Sequence, residues 1–392
     1  MNQYKDQIEH FLEEHRCDML RDLEDLVRSE SYFAELDHVA ACLNRVKDLF
    51  EQEGFNCRIE GIADNHAGVL VGIWGADRPK APVIFTGHVD TVHPTGSFGE
   101  NIWRRENGKL YGPGVLDMKG GIIMSLYVIK ALKSLGFDER PVKVIWVSNE
   151  DCDHTGTNAD EILTRESAGA VCAFNMEACL QGDKLCVYRK SLYNVFATVT
   201  GIGGHSGNFF AQGRNAVLEG AEKTCRMARL TDLEKGSTVN VSVFRGGDAQ
   251  AKIPEKCEMI YDVRYSTPEE GNRLYDSVSE IMESSYIPGT TTEYEIEIPK
   301  FKALKDDKGV NGLLTFVNKV LAENNLPLFG SMKMGSCSDA GNVQAAGVPI
   351  LDCCGIVGEF FHSLREYADE ESLYSRVLIW VLVLLDLDHF QM

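Results

Sequence analysis

The sequence is short of positive charge: 39 Lys and Arg stand against 59 Asp and Glu among 392 residues, a formal net charge of −20. A face that grips nucleic acid or an anionic membrane needs clustered Lys and Arg, so neither is expected as the main partner. A small anionic ligand, held by a few local charges, stays open. Long apolar runs are also missing. The most apolar stretch, Val377 to Leu385, is about nine residues long, far short of the ~20 that span a bilayer, and reads as a buried helix. The first twenty residues hold no apolar core of the signal-peptide kind, so a cytoplasmic location is expected. Twelve cysteines are present, yet none forms a C-x-x-C pair. The adjacent Cys353-Cys354 is neither a usual disulfide nor a usual zinc spacing, and buried free thiols in a reducing compartment are the plain reading. Internal repeats and low-complexity tracts are absent.

What is there is ordinary globular composition, 44% apolar and 25% charged, over a length that suggests two domains with cores needing no staples. An N-terminal helix and a second near Val39 to Gln52 precede β-rich runs at Asn56–Ile62, Ala67–Trp74 and Val83–Thr86. A helix over Gly121–Leu135 leads to "VKVIWVS" (Val142–Ser148), which reads as a fully buried strand. A helix near Ala159–Arg165 and a strand at Ala170–Met176 follow. Strands alternating with helices predict an α/β domain with a largely parallel central sheet. From about Lys190 the texture changes: "YNVFATVTG", "TVNVSVFRGG" and "CEMIYDVRY" alternate apolar and polar residues, as strands with one wet face do. With helical stretches near Arg214–Arg229 and Pro268–Ser284 they predict a small α+β unit. The expected organisation is a catalytic α/β domain over 1–189, an insertion over 190–299, and completion of the first domain by 300–392.

Acids and histidines fall at the ends of the buried strands. "VIFTGHVDT" places His88 and Asp90 at one, "VIWVSNED" places Glu150 and Asp151 at another, and "CAFNMEA" delivers Glu177 at a third. "YGPGVLDMKGG" sets Asp117 in a glycine-rich turn before a helix. Open α/β sheets bind ligands outside the carboxyl ends of their strands, so these groups can converge in one crevice. That many carboxylates repel one another unless a divalent metal pair binds them.

With "GHSG" opening the insertion, "YDVR" within it and "GEFFHSLREYAD" near the end, these motifs resemble, over nearly the whole chain, the dinuclear zinc metallopeptidases and aminoacylases. That family includes glutamate carboxypeptidase, acetylornithine deacetylase and succinyl-diaminopimelate desuccinylase; "GPGVLDMKGG" is most similar to the glutamate carboxypeptidase branch. The resemblance implies two Zn²⁺ per subunit, with Co²⁺ or Mn²⁺ as substitutes. His88 and Glu177 would hold one metal, Asp151 and His362 the other, and Asp117 would bridge them. Asp90 would fix the tautomer of His88, Glu150 would be the general base, and the Asp117–Met118 peptide would be cis. His205 would stabilise the oxyanion in the active site of a partner subunit. Asn240 and Arg264 would grip a substrate carboxylate, Gly335 would contact substrate through its backbone, and Lys184 is a weaker candidate for a side-chain carboxylate. The insertion would serve as lid and homodimerisation domain.

The implied reaction is hydrolysis of an amide next to a free carboxylate, in an N-acyl amino acid, folate-like conjugate or short peptide, with C-terminal Glu favoured. A deacetylase or desuccinylase, or a dipeptidase, is the alternative among hydrolases, and a non-catalytic metal-binding relative is the alternative of another class. Read singly, Asp90 is also a turn cap, Arg264 a salt-bridge partner and His205 a turn histidine. His93, His154 and His389 are read as surface residues. Two departures stand out: Glu150-Asp151 replaces the usual Glu-Glu, shortening one ligand by a methylene, and "NEDCDHTGT" replaces the usual continuation. Ala251 further departs from a common Asn in a substrate-contacting loop.

Overall fold

A computed structural model describes residues 2–63 and 66–391. The chain divides into two compact units, Met1–Tyr188 with Leu304–Lys333 and Ser338–Met392, and Arg189–Ala303 with Met334–Cys337.

The first unit is built on a six-stranded sheet. Its spatial order is Asn56–Glu60, Val69–Trp74, Val142–Val147, Val83–His88, Cys172–Asn175 and Ile350–Leu351. The last four run parallel, and the first two are antiparallel to their neighbours. The parallel strands are apolar almost without interruption because helices cover both faces; every residue of Val83–His88 is buried. Helices Asn2–Arg28, Gly120–Ser134 and Glu370–Leu385 pack on one another. The apolar run at Val377 lies in the last of these and is buried core, as its composition predicts. None of the described helices is long and apolar enough to cross a membrane.

Parallel order has one consequence for chemistry. It puts the carboxyl ends of Val83–His88, Val142–Val147, Cys172–Asn175 and Ile350–Leu351 on the same edge, and the segments bearing His88, Glu150, Glu177 and Asp352 leave the sheet there. The helix Gly120–Ser134 starts beneath that edge, and a Cβ on Gly121 would collide with the Met176 carbonyl. Only glycine allows the helix to approach the residue before Glu177 so closely. The Asp117–Met118 peptide just ahead of this helix is cis.

The second unit is a four-stranded antiparallel sheet, in the order Thr238–Gly246, Lys256–Tyr265, Ser191–Thr200, Thr291–Ile296, with helices Ala216–Ala228 and Pro268–Glu283. Burial alternates along Lys256–Tyr265, so one face makes the core (Val195, Val199, Met259, Tyr261, Val263, Leu274, Val278) and the other is wetter. The helices start on side-chain caps: Asn215 accepts from Leu218 N, and Thr267 from Glu270 N with Pro268 behind it. Sequence alternation places the unit at 190–299, whereas the compact body runs from Arg189 to Ala303 and takes in Met334–Cys337.

Candidate metal centre

Five side chains from five separate segments of the first unit meet at the sheet edge. Asp117 is buried at the centre, and its two oxygens face different partners. Oδ1 lies 3.2 Å from His88 Nε2, which is itself 3.5 Å from Glu177 Oε1. Oδ2 lies 3.1 Å from His362 Nε2, which is 3.3 Å from Asp151 Oδ1. The donor atoms of His88, Asp117 and Glu177 lie within 4.8 Å of one another, as do those of Asp117, Asp151 and His362. His362 comes from a loop in which both it and Phe360 take positive φ, 60° and 63°.

Asp90 holds the second side of the site. His88 Nδ1 faces the Asp90 main-chain carbonyl at 3.0 Å and its carboxylate only at 3.5 Å. The carboxylate is spent mainly on backbone: Oδ1 accepts from Glu150 N at 3.2 Å and Oδ2 from Asp151 N at 2.9 Å. Asp90 therefore anchors the turn that carries the two acids as well as orienting His88. The turn of Asp117 has a similar anchor in Glu366, a fully buried carboxylate accepting from Leu116 N (2.9 Å), Asp117 N (3.1 Å) and His93 Nε2 (2.6 Å).

Two histidines expected at the surface are corrected by these contacts. His93 is 5% exposed and bound to Glu366, and His154 is fully buried between Asp339 and Asn149. Their sequence surroundings are polar, but buried carboxylates distant in sequence satisfy their rings. His389 is exposed, beside Asp386.

The electrostatics are those of a site built for cations. Burial pushes the Glu177 carboxyl up to about 7, against the pull of His88 and with Asp117 adding to the rise. Burial likewise takes Asp151 up to about 6, His362 and His88 opposing. Lost hydration, joined by Glu177, Asp151 and Asp339, raises Glu150 well above the carboxylate range despite His88. His362 is raised to about 10 by its bonds to Asp117 and Asp151. Burial opposes charge on His88, but Glu177, Asp117 and Asp90 outweigh it and hold it well above its usual value. Only Asp117 is lowered, because the bonds from His362 and His88 outweigh its burial. Crowded carboxylates raised and imidazoles forced to carry charge are what a divalent cation pair relieves, so the donor set fits two metals. Mixed imidazole and carboxylate ligation suits a catalytic rather than a structural ion. A further group, Cys186, Asp352 and Cys353, also lies within 4.8 Å. Its carboxylate already accepts from Asn175 Nδ2, Ser338 Oγ and Cys353 N, and Cys186 Sγ donates to the Tyr188 carbonyl. It reads as a hydrogen-bonded packing cluster.

The profile of Peptidase family M20/M25/M40 matches residues 84–386, which span this whole constellation. The chain belongs to that family. It is 24% identical over 380 residues to carboxypeptidase G2 of Pseudomonas sp. (strain RS-16), covering 94% of this chain and 89% of that protein. It is 28% identical over 288 residues to succinyl-diaminopimelate desuccinylase 2 of Ruegeria sp. (strain TM1040), covering 68% and 70%. Its fold is similar to those of aminopeptidase PepT from Bacillus cereus ATCC 10987 (TM-score 0.76, 18% identity, 94% and 97% covered) and an M20 family metallo-carboxypeptidase from Sulfolobus solfataricus (0.73, 17%, 93% and 98%). Members of this family are metal-dependent peptidases and amidohydrolases, and this chain is such an enzyme.

The other residues singled out in this M20 chain, apart from Lys184, lie in the second unit. His205 sits on the short strand Gly204–His205, exposed, with Nδ1 facing the backbone N–H groups of Gly207 and Asn208. Arg264 is held by Asp262 through Nε and Nη2, both at 2.9 Å, and its Nη1 donates to the Gly335 carbonyl at 3.1 Å. Asn240 is exposed on the edge strand Thr238–Gly246, its amide 3.3 Å from Ser242 Oγ. Lys184 is an exposed residue of the first unit, at the start of the strand Lys184–Tyr188. Sequence reasoning missed the roles of Glu366, His93, His154 and Asp339, although Glu366 falls inside "GEFFHSLREYAD" and His154 inside "NEDCDHTGT".

Proposed function

We propose that this protein hydrolyses an amide bond next to a free carboxylate, using two Zn²⁺ ions held by His88, Asp117 and Glu177 and by Asp117, Asp151 and His362. The observation that carries the reading is Asp117, whose two oxygens each serve a different imidazole–carboxylate pair. When bound, such a metal pair polarises the scissile carbonyl and lowers the pKa of the attacking water. The chain's own residues do the rest. Glu150, on the turn pinned by Asp90, takes a proton from water at its carboxylate and returns it to the leaving amine. Burial and the neighbouring acids raise its carboxyl above the usual carboxylate range.

The substrate is an N-acyl amino acid, folate-like conjugate or short peptide, with a C-terminal Glu favoured. Arg264, oriented by Asp262, and Asn240 recognise its carboxylate, the Gly335 backbone contacts it, and Lys184 offers a second cation. His205 supports the oxyanion from the partner in a homodimer formed through the second unit, which also acts as lid. The enzyme works in the reducing cytoplasm, in keeping with its twelve free cysteines. A second reading, an N-acyl-amino-acid deacylase, is favoured by the desuccinylase relative, whose identity is as high as that of the carboxypeptidase.

The test is a mass-coded amide panel offered to zinc-loaded protein, with Glu150→Ala alongside. It would contain N-acetyl and N-succinyl amino acids, X-Glu dipeptides and pteroyl-type glutamate conjugates. Turnover of the glutamate-terminated members, lost in Glu150→Ala with metal retained, is the expected result. Turnover confined to N-succinyl or N-acetyl substrates selects the deacylase, and full turnover by Glu150→Ala removes the base assignment.

A further inference from the structure

The turn that carries Glu150 and Asp151 closes on a histidine that the proposed chemistry does not use. His154 is fully buried. Its Nε2 lies 2.7 Å from Asp339 Oδ1, and its Nδ1 lies 3.0 Å from Asn149 Oδ1. Neighbouring bonds fix the direction of both. Thr157 Oγ1 gives its single proton to the His154 carbonyl at 3.1 Å, so towards Asn149 Nδ2, 2.8 Å away, it can only accept. That turns the Asn149 amide oxygen towards His154. On the other side, Asp339 Oδ1 is a carboxylate oxygen. Asp339 Oδ2 is buried without a hydrogen-bond partner, so a proton placed there would have nothing to bond. With Asp339 ionised, both ring nitrogens face acceptors, and an imidazole donates from both only as the imidazolium. Burial works against that charge, and the Asp339 carboxylate outweighs it.

The backbone gives the pairing a purpose. Asp153 and His154 are consecutive non-glycine residues at φ 57° and 53°, a region that L-residues seldom adopt. The reversal lets Asp153 N donate to the Glu150 carbonyl at 2.8 Å and His154 N to the Asn149 carbonyl at 3.0 Å. Such a turn persists only if something holds it. Asp90 holds it from the N–H side of Glu150 and Asp151. We propose that His154 is a positioning residue: as a doubly donating imidazolium it clamps the Asn149–Thr157 turn to Asp339 and so fixes where Glu150 stands. This rests on the reading of Glu150 as the general base. It also gives the unusual "NEDCDHTGT" a physical role, because the histidine supplies from within the turn the tie that holds its reversal.

The test uses zinc-loaded protein and whichever panel amide it turns over. His154→Gln keeps one donor and loses the charge. It is expected to lower kcat about 10–100-fold, with KM changed less than about twofold and both metals retained by elemental analysis. Combining it with Asp339→Asn removes both charges and lets amide pair with amide, so the double variant should recover at least part of the lost kcat. In the unaltered protein, NMR of ¹⁵N-histidine-labelled material should show two slowly exchanging ring N–H protons for His154 near neutral pH, and one in Asp339→Asn. A single ring N–H in the unaltered protein overturns the proposal even if His154→Gln does not fold. Unchanged kcat per folded His154→Gln overturns it as well, provided Glu150→Ala shows its defect. Full turnover by Glu150→Ala sinks the base assignment instead, and with it the kinetic half of this proposal.

Discussion

Replacing Asp90 by Asn tests the architecture of the site more sharply than removing a metal ligand, because the side chain keeps its shape and loses only its charge and one acceptor. Asp90 spends its two oxygens on two backbone donors, Glu150 N at 3.2 Å and Asp151 N at 2.9 Å. A carboxylate can serve both; an amide has one oxygen and must turn its NH₂ group against the other N–H. One charge-assisted bond is then lost, about 1.5–3 kcal/mol, equivalent to about 10–150-fold. The loss falls on the turn bearing Glu150 and Asp151. It should therefore be divided between weaker metal binding, through Asp151 and through His88 Nδ1, and slower turnover, through misplacement of Glu150. Competition against a chromophoric chelator measures the first, and kcat at saturating zinc the second. The product of the two losses should lie in that range. Asp90→Asn with both quantities within about twofold of the unaltered protein would refute the claim that this carboxylate anchors the turn.

Two further outcomes follow from the packing and the charges. Gly121→Ala should lower Tm: an alanine in a helix gains roughly 0.5–1 kcal/mol, but here its Cβ collides with the Met176 backbone, and overpacking costs about 1–3 kcal/mol. Zinc release should quicken as well, since Glu177 follows Met176, and an unchanged or higher Tm would show that the approach is looser than described. Chelated protein should lose stability as pH rises from about 4 to about 7. Asp151 and Glu177 have folded-state values raised to about 6 and 7, so their contribution is complete below the unfolded carboxylate range and is lost as pH climbs through those values. His362, raised to about 10, adds stability that fades only above neutrality, so it does not mask the loss. Zinc binds the deprotonated ligands, so the Tm gap between zinc-loaded and chelated protein should widen with pH. A gap constant across that range would refute the charge assignment.

The central sheet was legible because burial on both faces leaves its strands nearly free of polar residues, as in "VIFTGH" and "VKVIWV". The second unit was legible for the opposite reason, one face of each strand being wet. His88, Asp151 and Glu177 could be read because they stand at strand ends, where parallel pairing leaves them on one edge, and Asp117 from its glycine-rich turn, whereas His362 was indicated only by the family resemblance. What sequence did not disclose is the layer behind them. Nothing local distinguishes His154 in "CDHTG" from a surface histidine; its burial depends on Asp339, 185 positions away. His93 depends in the same way on Glu366, 273 positions away. Periodicity reports which face of an element is apolar, and a polar residue buried against another polar residue contributes nothing to that signal.

The same blindness explains why sequence offers Asp90 as the partner of an imidazole or as a local turn cap, and not as the anchor of a remote turn. Its motif, two residues after His88, points to the ring, whereas its main bonds go to backbone N–H groups sixty residues on, which no side-chain pattern records. Asp151 belongs in this light too. Taken as a substitution, it is a ligand one methylene short. In the fold its backbone is tied by Asp90 at 2.9 Å, and its Oδ1 stands 3.3 Å from His362 Nε2, inside the cluster with Asp117. The reach of a ligand is set by where its backbone is held as much as by the length of its side chain. In this chain Asp90 ties the backbone of the shorter acid, which stands within reach of Asp117 and His362.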